Sequence, residues 1–82
     1  MPEYHRTTPY EWPYEEATAG MAERLQAYMD QAAEHPAGSA VRKAIHGTAT
    51  NVYENWRRFS LEAGKLKPED DARFIAILAQ WL

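Results

Sequence analysis

The sequence predicts an all-α fold, a small up-down-up three-helix bundle preceded by an extended N-terminal arm rich in aromatic residues and proline. Apolar residues recur at steps of three and four along two long segments, which is typical of amphipathic helices. Proline and glycine interrupt this pattern at residues 35–38 and 64–68, and no strand pattern competes with it. The 82 residues are enough for one domain and leave no room for a second.

Residues 1–12 form the predicted arm. Pro2 and Pro9 fix their own φ angles and push the residues before them towards extended geometry, so no helix is expected here. Tyr10 and Trp12 are unusual in a tail, because disordered tails are depleted in aromatic residues. Two interpretations stay open. The arm folds back over the bundle and covers apolar surface, or it docks on a partner through these aromatic side chains.

The first helix is predicted over residues 13–34. Pro13 suits the first helical position, and Glu15 and Glu16 are favourable near the positive end of the helix dipole. The apolar positions recur at the helical period: Tyr14, Ala17, Met21, Leu25, Tyr28 and Ala32. The opposite side carries an acidic stripe: Glu16, Glu23, Asp30 and Glu34. Pro36 then ends the helix, because it cannot continue the hydrogen-bond ladder.

The second helix is predicted over residues 40–63, with Ser39 as its N-cap and Gly64 as a left-handed residue after its end. Its apolar stripe comprises Val41, Ile45, Thr48, Ala49, Val52, Trp56, Phe59 and Ala63. Gly47 is its weak point, since glycine in a helix interior costs about 1 kcal/mol relative to alanine. It indicates either a close helix crossing or a bend.

The third helix, predicted over residues 68–82 and beginning at Pro68, is apolar around more than half of its circumference. Its apolar residues are Phe74, Ile75, Ile77, Leu78, Trp81 and Leu82, against a narrow polar stripe of Glu69, Arg73 and Gln80. Such a helix must be covered from several directions. If the other helices cover only one side, we expect Phe74, Leu78 and Trp81 to stay exposed and to bind a partner. The alternative is that the arm covers them within one chain.

No catalytic, cofactor or metal signature is present in the sequence. There is no cysteine, no glycine-rich phosphate loop, no pair of ligands at zinc spacing and no nucleophile elbow. The three histidines fall in the arm, a loop and a helix: His5, His35 and His46. We therefore expect neither an enzyme nor a bound cofactor or metal ion.

Charge is distributed unevenly along the chain, although the net charge is only −3. Residues 1–34 hold seven acids against two bases, and residues 35–67 hold six bases against two acids. This alternation favours pairing between helices of the same chain. A second hypothesis is a nucleic-acid interface on the outer face of the second helix, formed by Arg42, Lys43, His46, Tyr53, Arg57 and Arg58. Glu54 lies within that face and would repel phosphate.

The function predicted from these patterns is a non-enzymatic protein–protein interaction module: a regulator, inhibitor, adaptor or small subunit that also forms a homodimer. Its predicted partner-binding residues are Phe74, Leu78, Trp81, Tyr10 and Trp12. Small helical proteins of this kind are common among phage and mobile-element regulators, an analogy of size and class. The first residues lack a signal-peptide core, and the longest apolar run is far shorter than the ~20 residues of a membrane span. A cytoplasmic protein without a membrane partner is expected.

Overall fold

A computed structural model of the chain describes residues 12–80. Four helical segments follow one another in this part of the chain: α1 (Tyr14–Ala19), α2 (Met21–Ala32), α3 (Ala40–Glu62) and α4 (Pro68–Ala79). α1 and α2 together take the place of the first predicted helix, and no strand lies between residues 12 and 80. The predicted all-α three-helix bundle is confirmed.

The first predicted helix, 13–34, is wrong in one respect, because it is divided at Gly20. The Gly20 backbone N–H bonds to the carbonyl oxygen of Thr18, and the residue ends α1 and precedes α2. Glycine has a low helix propensity, so a change of hydrogen-bonding pattern costs least there. α2 then ends at Ala32, two residues before the predicted boundary.

Local sequence signals set both ends of α3. Ser39 Oγ accepts a hydrogen bond from the Arg42 backbone N–H at 3.2 Å, which is an N-cap. At the other end Gly64 has φ +69°. The Lys65 N–H bonds to the Ser60 carbonyl at 2.9 Å and the Gly64 N–H to the Leu61 carbonyl at 2.9 Å, the two bonds of a Schellman motif. The predicted ends of this helix therefore agree with the structure to within one residue.

Gly47 lies in the middle of α3 on its exposed side. A Cβ atom added there would meet no atom within 4 Å, so the expected close helix crossing at Gly47 is wrong. α3 runs through this position without interruption.

The core forms where α3 meets the other helices around Trp56, which is only 3% exposed. Its ring lies 4.7 Å from that of Phe74 in an edge-to-face arrangement and 5.8 Å from that of Tyr14. The Trp56 indole N–H donates to Thr18 Oγ1 at 2.9 Å, so the polar atoms of this buried pair are satisfied. Leu25 of α2 is fully buried in the same cluster, and α2 packs against both α3 and α4.

We expect Phe74→Ala to lower the free energy of unfolding by about 3–5 kcal/mol, because it empties a fully buried site against Trp56. Urea denaturation followed by circular dichroism measures this. The neighbouring Ile75→Ala is the control, since Ile75 is 50% exposed and should cost much less. Equal losses for the two variants would contradict the packing described for α4.

We expect Gly47→Ala to stabilise the protein by up to about 1 kcal/mol, because alanine favours the helix and there is space for its methyl group. Gly64→Ala should do the opposite, since Gly64 has a positive φ that strains any residue with a Cβ. Thermal unfolding of the two variants beside the wild-type chain tests the pair. A lower melting temperature for Gly47→Ala would show that a neighbour does occupy that space.

Candidate protein-interaction surfaces

The structure places the predicted partner-binding residues in three different environments. Phe74 is 0% exposed, so the expectation that it faces a partner is wrong: it points between α2 and α3 against Trp56. Leu78 is partly buried and packs against the same core. Tyr10 and Trp81 lie outside the described residues.

Trp12, the last residue of the predicted arm, packs on the chain's own bundle. Its ring lies 5.2 Å from that of Phe59, and its indole N–H donates to Ser60 Oγ at 3.1 Å. Its carbonyl oxygen accepts from Lys65 Nζ at 3.0 Å. Trp12 therefore covers part of its own bundle, and the remainder of the predicted arm, residues 1–11, lies outside the described residues.

The outer face of α4 is apolar, as its sequence predicts, but its side chains are mostly small. The exposed residues that share this face follow the spacing of a helix stripe: Ala72, Ile75, Ala76 and Ala79. Ile75 is the only large one among them, at 50% exposure. Apart from Ile75, the bulky apolar residues in the described part of α4 are thus turned inwards, and a narrow alanine-rich strip remains outside beside the exposed Glu69 and Arg73.

A larger apolar surface lies on the side of the α2–α3 pair that α4 does not cover. On α2, Gln26 bonds to Gln80 beyond the end of α4, at 3.0 and 2.9 Å, whereas Tyr28 lies about 160° around the helix from Gln26. On α3, Arg57 contacts Asp71 of α4 at 3.5 Å, and the uncovered side lies away from it. We call this uncovered side the α2–α3 groove.

Two adjoining depressions form the α2–α3 groove. One of about 270 Å³ is lined by Trp12, Ala17, Met21, Arg24, Val52, Asn55, Trp56 and Phe59. The other, of about 340 Å³, is lined by Tyr28, Gln31, Val41, Ala44, Ile45 and Thr48. No residue of α4 in the described part of the chain lines either depression, and Arg24 is the only charged residue that does.

The α3 side of the groove is a regular stripe at steps of four and three residues: Val41, Ile45, Thr48, Val52, Asn55 and Phe59. Val41 is 50% exposed at one end of this stripe, and Phe59 is partly buried under Trp12 at the other. The sequence pattern contains most of these residues, but it indicates a core stripe. Their exposure depends on where α4 packs, and periodicity within α3 carries no signal for that.

The six residues of the predicted nucleic-acid interface do not form one open basic surface, although all except Arg58 lie within about 100° of one another around α3. Tyr53 is buried in the core, so its predicted place on the outer face is wrong. Arg42 Nη1 donates to the His35 carbonyl at 3.1 Å, which holds this side chain against the loop after α2. At 100° per residue, Arg42 and Arg58 lie about 160° apart around the helix.

Two other members of this set contact side chains of the same chain. Arg57 pairs with Asp71, while Arg58 lies over the Phe59 ring, 5.1 Å from its centre. Lys43 is exposed and His46 is partly buried, with Glu54 exposed on the Lys43 side of the helix. The geometry therefore offers phosphate no continuous basic stripe along α3.

Two tyrosine–carboxylate pairs attach the beginning of α4 to the bundle. Tyr14 donates its hydroxyl to Asp70 Oδ2 at 2.7 Å and accepts from the Lys67 N–H at 3.1 Å. Tyr53 donates to Asp71 Oδ1 at 2.5 Å. Burial and the hydrogen bond to Asp71 raise the pKa of Tyr53 to about 12, and burial and Asp70 likewise raise the pKa of Tyr14.

Residues 12–80 contain no group of three or more His, Asp or Glu side chains placed to hold a metal ion. None of the helices in this part of the chain has the length and hydropathy needed to cross a bilayer. Comparisons of the chain with protein-family models, curated proteins and solved structures find no match.

Stability should fall as the pH rises from 10 to about 12, because the tyrosines then ionise. A pKa raised in the folded state above the unfolded value of 10.0 gives stability that is complete below pH 10 and is lost as the pH passes through the folded pKa, about 12 for Tyr53. We expect Tyr53→Phe to weaken this dependence. Below pH 10 it should cost about 1.5–3 kcal/mol, because it removes a bond to a charged carboxylate.

Urea denaturation over a pH series measures both effects. Tyr28→Phe is the matched control, because Tyr28 lies in the α2–α3 groove on the side of α2 away from α4. If Tyr53→Phe kept the wild-type pH dependence, the Tyr53–Asp71 pair would not contribute to stability.

Proposed function

We propose that this protein is a non-enzymatic protein–protein interaction module and that the α2–α3 groove is its binding surface. The observation that carries the proposal is a stripe on α3, apolar except for Thr48 and Asn55, that lies partly exposed beside α2 and that α4 does not cover. Isolated exposed apolar residues are ordinary on protein surfaces, whereas a contiguous apolar patch marks an interaction site.

The shape of the groove suits an α-helix from another protein chain. From Val41 to Phe59 the stripe is about 27 Å long at 1.5 Å per residue, which matches a partner helix of about five turns. Its steps of four and three residues are those with which amphipathic helices pack into grooves. Ala44 and Thr48 are small, so a partner backbone can approach closely in the first half of the stripe.

The charge of the groove favours a protein partner over a nucleic acid. The centres of protein interfaces are depleted of charged residues, and Arg24 alone is charged among the residues that line the two depressions. A nucleic-acid interface needs several available cations on one surface, whereas on α3 the buried Tyr53 interrupts the basic side and Arg57 is paired with Asp71. The nucleic-acid hypothesis therefore remains only a prediction from the sequence.

This proposal moves the binding surface relative to the sequence prediction. Phe74 and Leu78 support the fold from inside, and Trp12 closes one end of the groove. For Tyr10 and Trp81 we retain the partner-binding role predicted from the sequence. We also retain the predicted regulatory class and cytoplasmic location. The outer face of α4 is a narrower alternative surface, whose one large side chain is Ile75.

Site-specific photo-crosslinking in the host cell tests the proposal. A benzophenone amino acid replaces either Val41, in the groove, or Leu61, which is equally exposed (50% and 48%). Leu61 lies about 160° away around α3, so it is a matched control. We expect discrete protein adducts from position 41 that disappear when Ile45→Glu is added, and none from position 61. The absence of adducts at position 41, or the same adducts at both positions, would refute the proposal.

A further inference from the structure

We infer that the protein chain bound in the α2–α3 groove is a second copy of this same chain, related by a two-fold axis along the groove. The inference rests on the proposed function of the groove and names its partner. Three observations carry it: the level of each lining side chain, meaning its position along the helix axes, the position of Arg24, and the surface area available.

The facing stripe comprises Ala17 of α1 with Arg24, Tyr28 and Gln31 of α2, while Met21 is buried beneath it. Its side chains alternate in level with those of the α3 stripe, which is what a self-complementary surface requires. The Thr18–Trp56 hydrogen bond sets these positions of the antiparallel helices at the same level, so Tyr28 lies level with residue 46. Tyr28 therefore falls between Ile45 and Thr48, at a gap in the α3 stripe. A two-fold rotation about an axis parallel to the groove involves no translation along it. The partner's α2 therefore faces α3 at the same level as the chain's own α2 does. Each side chain of that helix then meets a gap on α3, as ridges pack into grooves.

The position of Arg24 distinguishes between two orientations of the two-fold axis, across the groove or along it. Its level corresponds to residue 50, the centre of the α3 stripe. A two-fold axis perpendicular to the groove at that centre would set Arg24 against its own copy, and like charges in contact oppose association. An axis along the groove instead sets Arg24 of one copy between Thr48 and Val52 of the other, which are uncharged, and the Thr48 hydroxyl can accept a hydrogen bond.

The area lies at the lower limit for a specific interface. With helices about 10 Å wide, about 27 Å of α3 and about 21 Å from Ala17 to Gln31 give a footprint of about 480 Å² per copy. The pair then covers about 960 Å² in total, close to the ~1,000 Å² expected of a biological interface. We therefore expect a dimer whose population depends strongly on protein concentration.

Light scattering and sedimentation equilibrium across a concentration series test the inference on the full chain. We expect the mass to approach twice the chain mass of 9.4 kDa as the concentration rises. Val41→Glu should weaken association at least tenfold. Val41 is the second residue of α3, where a carboxylate is favourable to the helix dipole, so this variant should stay folded. Circular dichroism checks this.

Leu61→Glu and Ile75→Glu are the matched controls and should leave association unchanged, because neither residue lines the groove. A dimer weakened by Ile75→Glu and not by Val41→Glu would overturn the inference and assign the contact to the outer face of α4. So would a monomer at every concentration.

The photo-crosslinked adducts separate a failure of this inference from a failure of the proposed function. An adduct of twice the chain mass from position 41 supports the second copy. An adduct with a different protein overturns the inference and leaves the interaction module standing. A crosslink within one chain to residues 1–11 shows that the arm fills the groove, and it overturns both.

Discussion

Trp56 is the side chain on which the arrangement of the helices depends. It projects from α3, and its ring packs edge-to-face on Phe74 of α4 and beside Tyr14 of α1. Its one polar atom is satisfied by Thr18, so the indole can be buried without loss of a hydrogen bond. Because this single rigid ring contacts both α1 and α4, moving either helix would open a cavity or leave the indole N–H unpaired.

A second constraint acts at the beginning of α4 and decides which side of the α2–α3 pair that helix covers. The adjacent carboxylates Asp70 and Asp71 bond to Tyr14 and Tyr53, which come from different helices. The two bonds attach the first turn of α4 at two points, and the helix then extends along α2. The described chain forms a bundle of only three helices, counting α1 and α2 as one. When α4 covers one side of the α2–α3 pair, no other described helix covers the opposite side. The groove is thus a consequence of the same contacts that complete the core.

The parts of the fold that the sequence predicts well are those set by local chemistry. Ser39, Gly64 and Pro68 act on the backbone of their own turns, so the limits of α3 and the beginning of α4 follow from them. The break at Gly20 is missed because the apolar period continues through it from Tyr14 to Met21. The misplacement of Phe74 and Tyr53 has a different origin. Periodicity shows which residues share a helix face, but which face meets a neighbour depends on contacts between distant segments.

The same distinction explains why the candidate site could be only half predicted. The stripe from Val41 to Phe59 is visible in the sequence as apolar spacing, and its exposure appears only when α4 is placed. Three large apolar side chains in the described chain are about half exposed: Val41, Leu61 and Ile75. Leu61 and Ile75 have few exposed apolar neighbours of similar size, and water contact of that kind is normal. Val41 continues into Ile45 and Val52 beside Tyr28, and burial is worth about 25 cal/mol per Å² of apolar surface wherever it occurs. At the groove one partner helix can cover Val41 together with the partly buried Ile45, Val52 and Tyr28, so the driving force for association is greatest there.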